Sequence, residues 1–428
     1  MLPICARLLC FTTAAAIVPL AQAQVEFFDL QTLYNSGLGV YGVSADGSYV
    51  GGHLQTAVRW SQSNGFEDCG TVAGFTHGAY HTRAISGDGQ TLVGFWWAAD
   101  AKGIRSFRWS PVSGLELLPL EAGNVGSQAH AISFNGTVIT GGVRDATADH
   151  AFRWTAQDGH VLLGELFPGP GAYSYGKGIS ADGSVIVGYC GQVGVAVNRP
   201  FRWTAASGMQ ALPTPLDHVV AGAHCVSSNG LFAVGASRTA SGPTTAVLWA
   251  EGQPMLSLGM LNGGTYSEAR SVSDDGLMVV GVANGGGGLS DNRAFAWTPY
   301  SGMFDFTTYL AKLGHSSPYG TLSVATAISG DGTTIVGGDY GWAARSGCWP
   351  AVFMHFEATE AACGEGSAVL QVRSAGQGEI APRWQVLSEA GEWLALADGT
   401  FDQGAAIQAI RWLARQPVSE RVLTSGSG

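Results

Sequence analysis

A four-residue turn, Ser-x-Asp/Asn-Gly, recurs seven times in these 428 residues and restricts the chain to a repeat architecture. The copies are Ser44–Gly47, Ser86–Gly89, Ser133–Gly136, Ser180–Gly183, Ser227–Gly230, Ser273–Gly276 and Ser329–Gly332. Their glycines are 42, 47, 47, 47, 46 and 56 residues apart. Asp-Gly and Asn-Gly adopt positive φ readily, which a tight hairpin needs. Ile or Val precedes each of the serines, and a β-branched run ending in Gly follows, as in Val185-Ile186-Val187-Gly188. Each copy therefore predicts a β-hairpin.

A second landmark follows each of the first six hairpins. Trp60, Trp109, Trp154, Trp203, Trp249 and Trp297 each close a short strand such as Phe201-Arg202-Trp203. A Gly-containing turn and a fourth strand come next, as in Gly114-Leu115-Glu116-Leu117-Leu118. Four antiparallel strands in about 47 residues make one propeller blade. The expected fold is all-β: a seven-bladed β-propeller of four-stranded antiparallel blades over 24–356, with a small β-rich extension over 357–428. Gly42, Ala84, Ala131, Gly178, Cys225, Ser271 and Ala327 share one repeat position, where small residues suit the narrow wedge near the axis. Phe28–Leu33 matches the fourth strand around Glu67–Val72, so the N-terminal strand is expected to complete the seventh blade. Its partner is expected at Pro350–Phe356. Thr307–Leu313 reads as a short helix stopped by Gly314.

The first 23 residues read as a secretory leader. Arg7 is the only charge before Glu26, the apolar run Leu8–Leu20 is too short to span a bilayer, and Ala21-Gln22-Ala23 is a small-x-small cleavage site. A secreted, extracellular or cell-surface location follows, with no membrane span. A net charge of −11 and only three lysines argue against a nucleic-acid partner. Charged residues at 12% beside apolar residues at 46% exclude a disordered charged tail. Past the leader lie Cys69, Cys190, Cys225, Cys348 and Cys363, with no zinc spacing. Cys348 and Cys363 are the nearest pair for a disulfide.

The repeat resembles the bacterial extracellular HAF repeat family, named for a His-Ala-Phe signature. His150-Ala151-Phe152-Arg153-Trp154 carries it, and Arg199-Pro200-Phe201 and Arg293-Ala294-Phe295 are weaker versions. The resemblance covers about residues 25–356. It implies an exported repeat protein of the cell surface and brings no catalytic residues. Ala368–Val372, Pro382–Val386 and Glu392–Leu396 resemble the early strands of a bacterial immunoglobulin-like module with Trp384 as its core Trp. Gln408–Arg415 reads alternatively as a short helix.

No nucleophile elbow, zinc-protease motif or phosphate loop occurs. His77 and His81 are four apart but precede a strand, which disfavours a metal site. Asp100, Asp145, Asp149, Asp291 and Asp339 read as solvated acids of loops. No metal or cofactor is expected. Three residues before each repeat Ser stand Tyr41, Arg83, His130, Lys177, His224, Arg270 and Thr326. Five of the seven are basic or His, and equivalent positions on axis-lining strands form a ring. A ring of cations in an acidic protein attracts an anion, such as a carboxylated sugar or a phosphate. His130 and His224 would strengthen such binding below about pH 6.5. The favoured function is a non-enzymatic binding or adhesion module for an extracellular glycan or protein surface. The alternatives are a propeller hydrolase or lyase on glycans and a purely structural surface module.

Overall fold

The computed structural model describes residues 25–34, 38–72, 78–98, 103–286, 291–299, 301–318, 320–338 and 341–346, and six short strands between 355 and 424. Among the described residues between 25 and 346 the chain is all-β with two short helices. Antiparallel four-stranded sheets follow one another at 39–68, 78–117, 126–162 and 267–305. The stretches 172–211 and 218–259 are likewise four-stranded. A single parallel pairing, Asn198 with Val220, joins them into one eight-stranded sheet. The last sheet takes three strands from Ala325–Ile328, Thr334–Gly337 and Trp342–Arg345, and its fourth from Glu26–Asp29. The expected leader, His77, Asp100, Asp339 and the Cys348–Cys363 pair lie outside the described residues.

The repeated turn works as its residue types dictate. Ser44 Oγ donates to Asp46 Oδ1 at 2.7 Å and accepts the Tyr49 backbone N–H at 2.9 Å. Gly47 sits at φ 69°, a region that only Gly enters freely. All seven turn serines are buried. Each turn also bonds to the next. Ala45 N donates to Gly87 O, Asp88 N to Phe134 O, Phe134 N to Ala181 O and Ala181 N to Ser228 O. Ser228 N donates to Asp274 Oδ1, Asp274 N to Gly330 O, and Asp331 N to Ala45 O, which returns to the start.

The cores lie between sheets rather than within them. Val93 and Leu118 of one sheet pack with Ile139, Phe152 and Trp154 of the next. Val234, Ala246 and Leu258 pack with Val279, Phe295 and Trp297. Val336 and Ala343 of the last sheet pack with Val40, Val50, Val58 and Trp60 of the first. A single sheet cannot bury both of its faces, so consecutive sheets bury each other's. The first strand of every sheet faces the common centre. Small residues there are a steric requirement: a Cβ on Gly178 would lie 2.8 Å from Cys225 Cα of the neighbouring strand.

Two expectations at the closure change. The N-terminal strand pairs with Trp342–Arg345, Asp29 opposite Trp342 and Phe27 opposite Ala344, and not with 350–356. The Phe-x-Trp landmark misleads here. Trp342 pairs with Gly337, as Phe152 pairs with Gly141, while Ala344 takes the position that Trp154 holds. The strand itself stops at Asp29, because Leu30–Tyr34 turns into a helix with Leu30 fully buried. The other helix, Phe306–Lys312, is capped by the Asp305 side chain on Thr308 N and buries Phe306 and Leu310. Toward the C-terminus His355–Ala358 pairs with Leu370–Arg373. Arg383–Leu387, Trp393–Leu396, Ala409–Leu413 and Val422–Thr424 form another sheet, so the helix considered at 408–415 is a strand.

Candidate functional site

Each inner strand carries a β-bulge at one repeat position. The pairing register shifts between Val40 and Gly42, Thr82 and Ala84, Ala129 and Ala131, and Gly176 and Gly178. It does so again between Ala223 and Cys225, Ala269 and Ser271, and Ala325 and Ala327. The residues skipped by the ladder are Tyr41, Arg83, His130, Lys177, His224, Arg270 and Thr326. A bulge frees a residue from pairing and re-aims its side chain. All seven line one cavity of about 710 Å³, with the residues of the turn circle on the same wall. That volume lies within the range of small-molecule sites.

Aromatic rings hold the cations in place. The Arg83 guanidinium lies 5.6 Å from the Tyr41 ring centre and 5.2 Å from that of Phe95. Lys177 Nζ lies 5.1 Å over Tyr175 and 5.6 Å over Tyr189. A ring quadrupole attracts a cation without cancelling its charge. Tyr41 stacks on His53 at 5.0 Å, His53 meets His81 edge-on, and His81 stacks on Phe95 at 4.9 Å. Lys177 Nζ is 3.1 Å from His130 Nε2. Burial, then Lys177 and Arg83, hold the His130 imidazolium well below the usual histidine range, so this histidine is neutral. The same surroundings work against the expected gain of charge on His130 below pH 6.5. Burial with Arg83 and Arg270 nearby pulls the Lys177 ammonium down to about 8. His53 is pushed to about 4 by burial, His81 and Arg83.

The other half of the ring contains its own counter-charge. Glu268 Oε1 is 3.1 Å from both His224 Nδ1 and Arg270 Nη2, and Tyr266 donates its hydroxyl to Oε2. Burial alone would raise the Glu268 carboxyl, but His224 and Arg270 outweigh it and hold it at about 2. Asp149, expected as a solvated loop acid, is buried instead: it pairs with Arg144 and accepts the Tyr175 hydroxyl. Asp145 caps its own loop through Thr147 and Ala148, and Asp291 pairs with Arg293.

No family model matches the chain, and no curated protein matches it. Solved structures do. A putative TolB from Agrobacterium tumefaciens is 18% identical over 54% of this chain and 87% of that one, with a TM-score of 0.40. An oligogalacturonate lyase from Vibrio parahaemolyticus is 11% identical over 61% and 77%, TM-score 0.45. Hydrazine synthase from Kuenenia stuttgartiensis is 14% identical over 70% and 92%, TM-score 0.42. At these TM-scores the likenesses carry no argument about chemistry.

Among the described residues no group of three or more His, Cys, Asp or Glu is placed to hold a metal, and no helix is long and apolar enough to cross a membrane. Cys69, Cys190 and Cys225 are free thiols, and burial raises all three. The rings of His53, Phe95, Tyr175 and Tyr189 are the site residues that spacing did not reveal. They stand on second strands or at positions without a repeated chemistry, and only the paired register brings them to the cations.

Proposed function

We propose that the chain is a seven-bladed β-propeller, exported by way of residues 1–23 and of the HAF-repeat type, that works as a non-enzymatic binding module. Its ligand is an anionic small molecule or glycan end held in the central cavity. One observation carries this: the residues freed by the seven inner-strand bulges, among them Arg83, Lys177 and Arg270, line a single cavity of about 710 Å³ in an acidic protein. Cations in a low-dielectric cleft focus potential and concentrate anions. The test is a titration of anionic and neutral sugars into the protein and into the Arg83→Ala/Arg270→Ala double mutant. Binding of anions by the parent, lost in the double mutant with unchanged melting, is the expected result. Equal binding by both proteins, or by neither, removes the proposal.

A further inference from the structure

Building on that reading, we propose that the anion docks on one arc of the ring, Arg83–His130–Lys177, and that it is a dianion: a phosphate monoester or a dicarboxylate rather than a singly charged sugar acid. The ring is electrostatically lopsided. His224 and Arg270 share Glu268 at 3.1 Å each. Arg83 and Lys177 touch no carboxylate among the described residues; each rests instead on two aromatic rings. Asp149, an acid whose charge acts on Lys177, is already engaged by Arg144 and Tyr175. Asp274 belongs to the turn circle, four residues beyond Arg270, where it accepts Ser228 N–H.

His130 stands between the two cations, with Nε2 3.1 Å from Lys177 Nζ. It accepts that hydrogen bond as a neutral ring, so it positions the ammonium and adds no third charge. The arc therefore presents two positive charges to the cavity, Lys177 half-buried and Arg83 exposed, that repel each other and have no carboxylate partner among the described residues. A cleft that gathers like charges without a counter-ion concentrates anions, and a ligand supplies the missing pairing. A monoanion would leave one cation unmatched. A dianion matches both, and its clustered oxygens accept the forked donors of a guanidinium and the point charge of an ammonium.

The experiment uses one carbon skeleton at constant ionic strength and pH 7.5: glucose 6-phosphate, glucarate, glucuronate and glucose, titrated calorimetrically into the whole chain. At least one of the two dianions is expected to bind about tenfold tighter than glucuronate, the worth of one further charged hydrogen bond. Their order tells the phosphate source from the dicarboxylate one. Arg83→Gln and Lys177→Gln should each weaken the dianion about tenfold, while Lys177→Arg should keep the preference and so exclude a folding defect. The charge-conserving pair Glu268→Gln/Arg270→Gln should weaken the dianion less than Lys177→Gln does, because Arg270 already shares Glu268 and contributes less to the site. Glucuronate binding as tightly as both dianions, or the Glu268/Arg270 pair losing as much as Lys177→Gln, overturns this inference alone. Failure of every anion to bind the parent overturns it together with the proposed function.

Discussion

At the scale of single residues, half-buried Lys177 and buried Ser180 show opposite uses of a polar group. Lys177 is held at about 8 instead of 10.5 by burial and by Arg83 and Arg270. A base with a lowered folded pKa binds fewer protons folded than unfolded between those values. Its penalty is therefore fully present below pH 8 and fades as pH rises toward 10.5. Lys177→Met should melt higher than the parent at pH 7, by about 1–3 kcal/mol, with the advantage gone near pH 10.5. Chemical denaturation of both proteins across that range checks it, and a constant difference would refute it. Ser180 accepts the buried Val185 N–H at 2.9 Å and donates to Asp182 at 2.6 Å. Ser180→Ala strands that N–H and should cost about 1–3 kcal/mol, whereas Asp182→Asn keeps an acceptor and should cost well under 1. Asn135 and Asn229 already fill that position in two other turns.

At the scale of elements, what a short stretch of chain decides was legible and what another strand decides was not. The Ser-x-Asp-Gly turn forms within itself, so its spacing located the hairpins and, by counting back three residues, the ring of Arg83, Lys177 and their equivalents. The bulge that frees those residues is a relation between two strands and has no local signature. The counter-charges Glu268 and Asp149 were opaque for the same reason. So was Trp342, which sits two positions from where the Phe-x-Trp pattern places a Trp and led the last third strand to be sought near 350. The close approach of inner strands yields a sharp expectation. A Cβ on Gly178 meets backbone atoms of Cys225 and Val226 at 2.8 Å, so the neighbouring strand has to move. Gly178→Val should cost 3 kcal/mol or more, at the upper end of overpacking changes. Ala327→Val, at an equivalent place already holding a Cβ, should cost less, about 1–2 kcal/mol. Thermal melting of the two variants side by side decides it; equal losses would mean that the two approaches are equally tight.

At the scale of the whole molecule, the first described strand joins the last sheet. Glu26–Asp29 pairs with Trp342–Arg345, and residues over 300 apart in sequence then meet. Phe27 stacks on Trp342, Gln31 N donates to Gly341 O, and Leu30 joins Leu38, Val40 and Trp60 in the core between last and first sheets. Contacts of such separation form late and are held cooperatively, because their loop-closure entropy is large. Removing the strand would bare the hydrogen-bonding edge of Trp342–Arg345 and open the apolar wedge behind it. An unprotected edge pairs with other chains. A protein beginning at residue 35 should therefore melt more than 10 °C lower, a loss of several kcal/mol on about 2–4 °C per kcal/mol for larger domains. It should also form oligomers that a synthetic peptide of residues 24–34 suppresses in light scattering. A truncated chain that stays monomeric with unchanged melting would show that the cores between consecutive sheets hold the molecule closed without that strand.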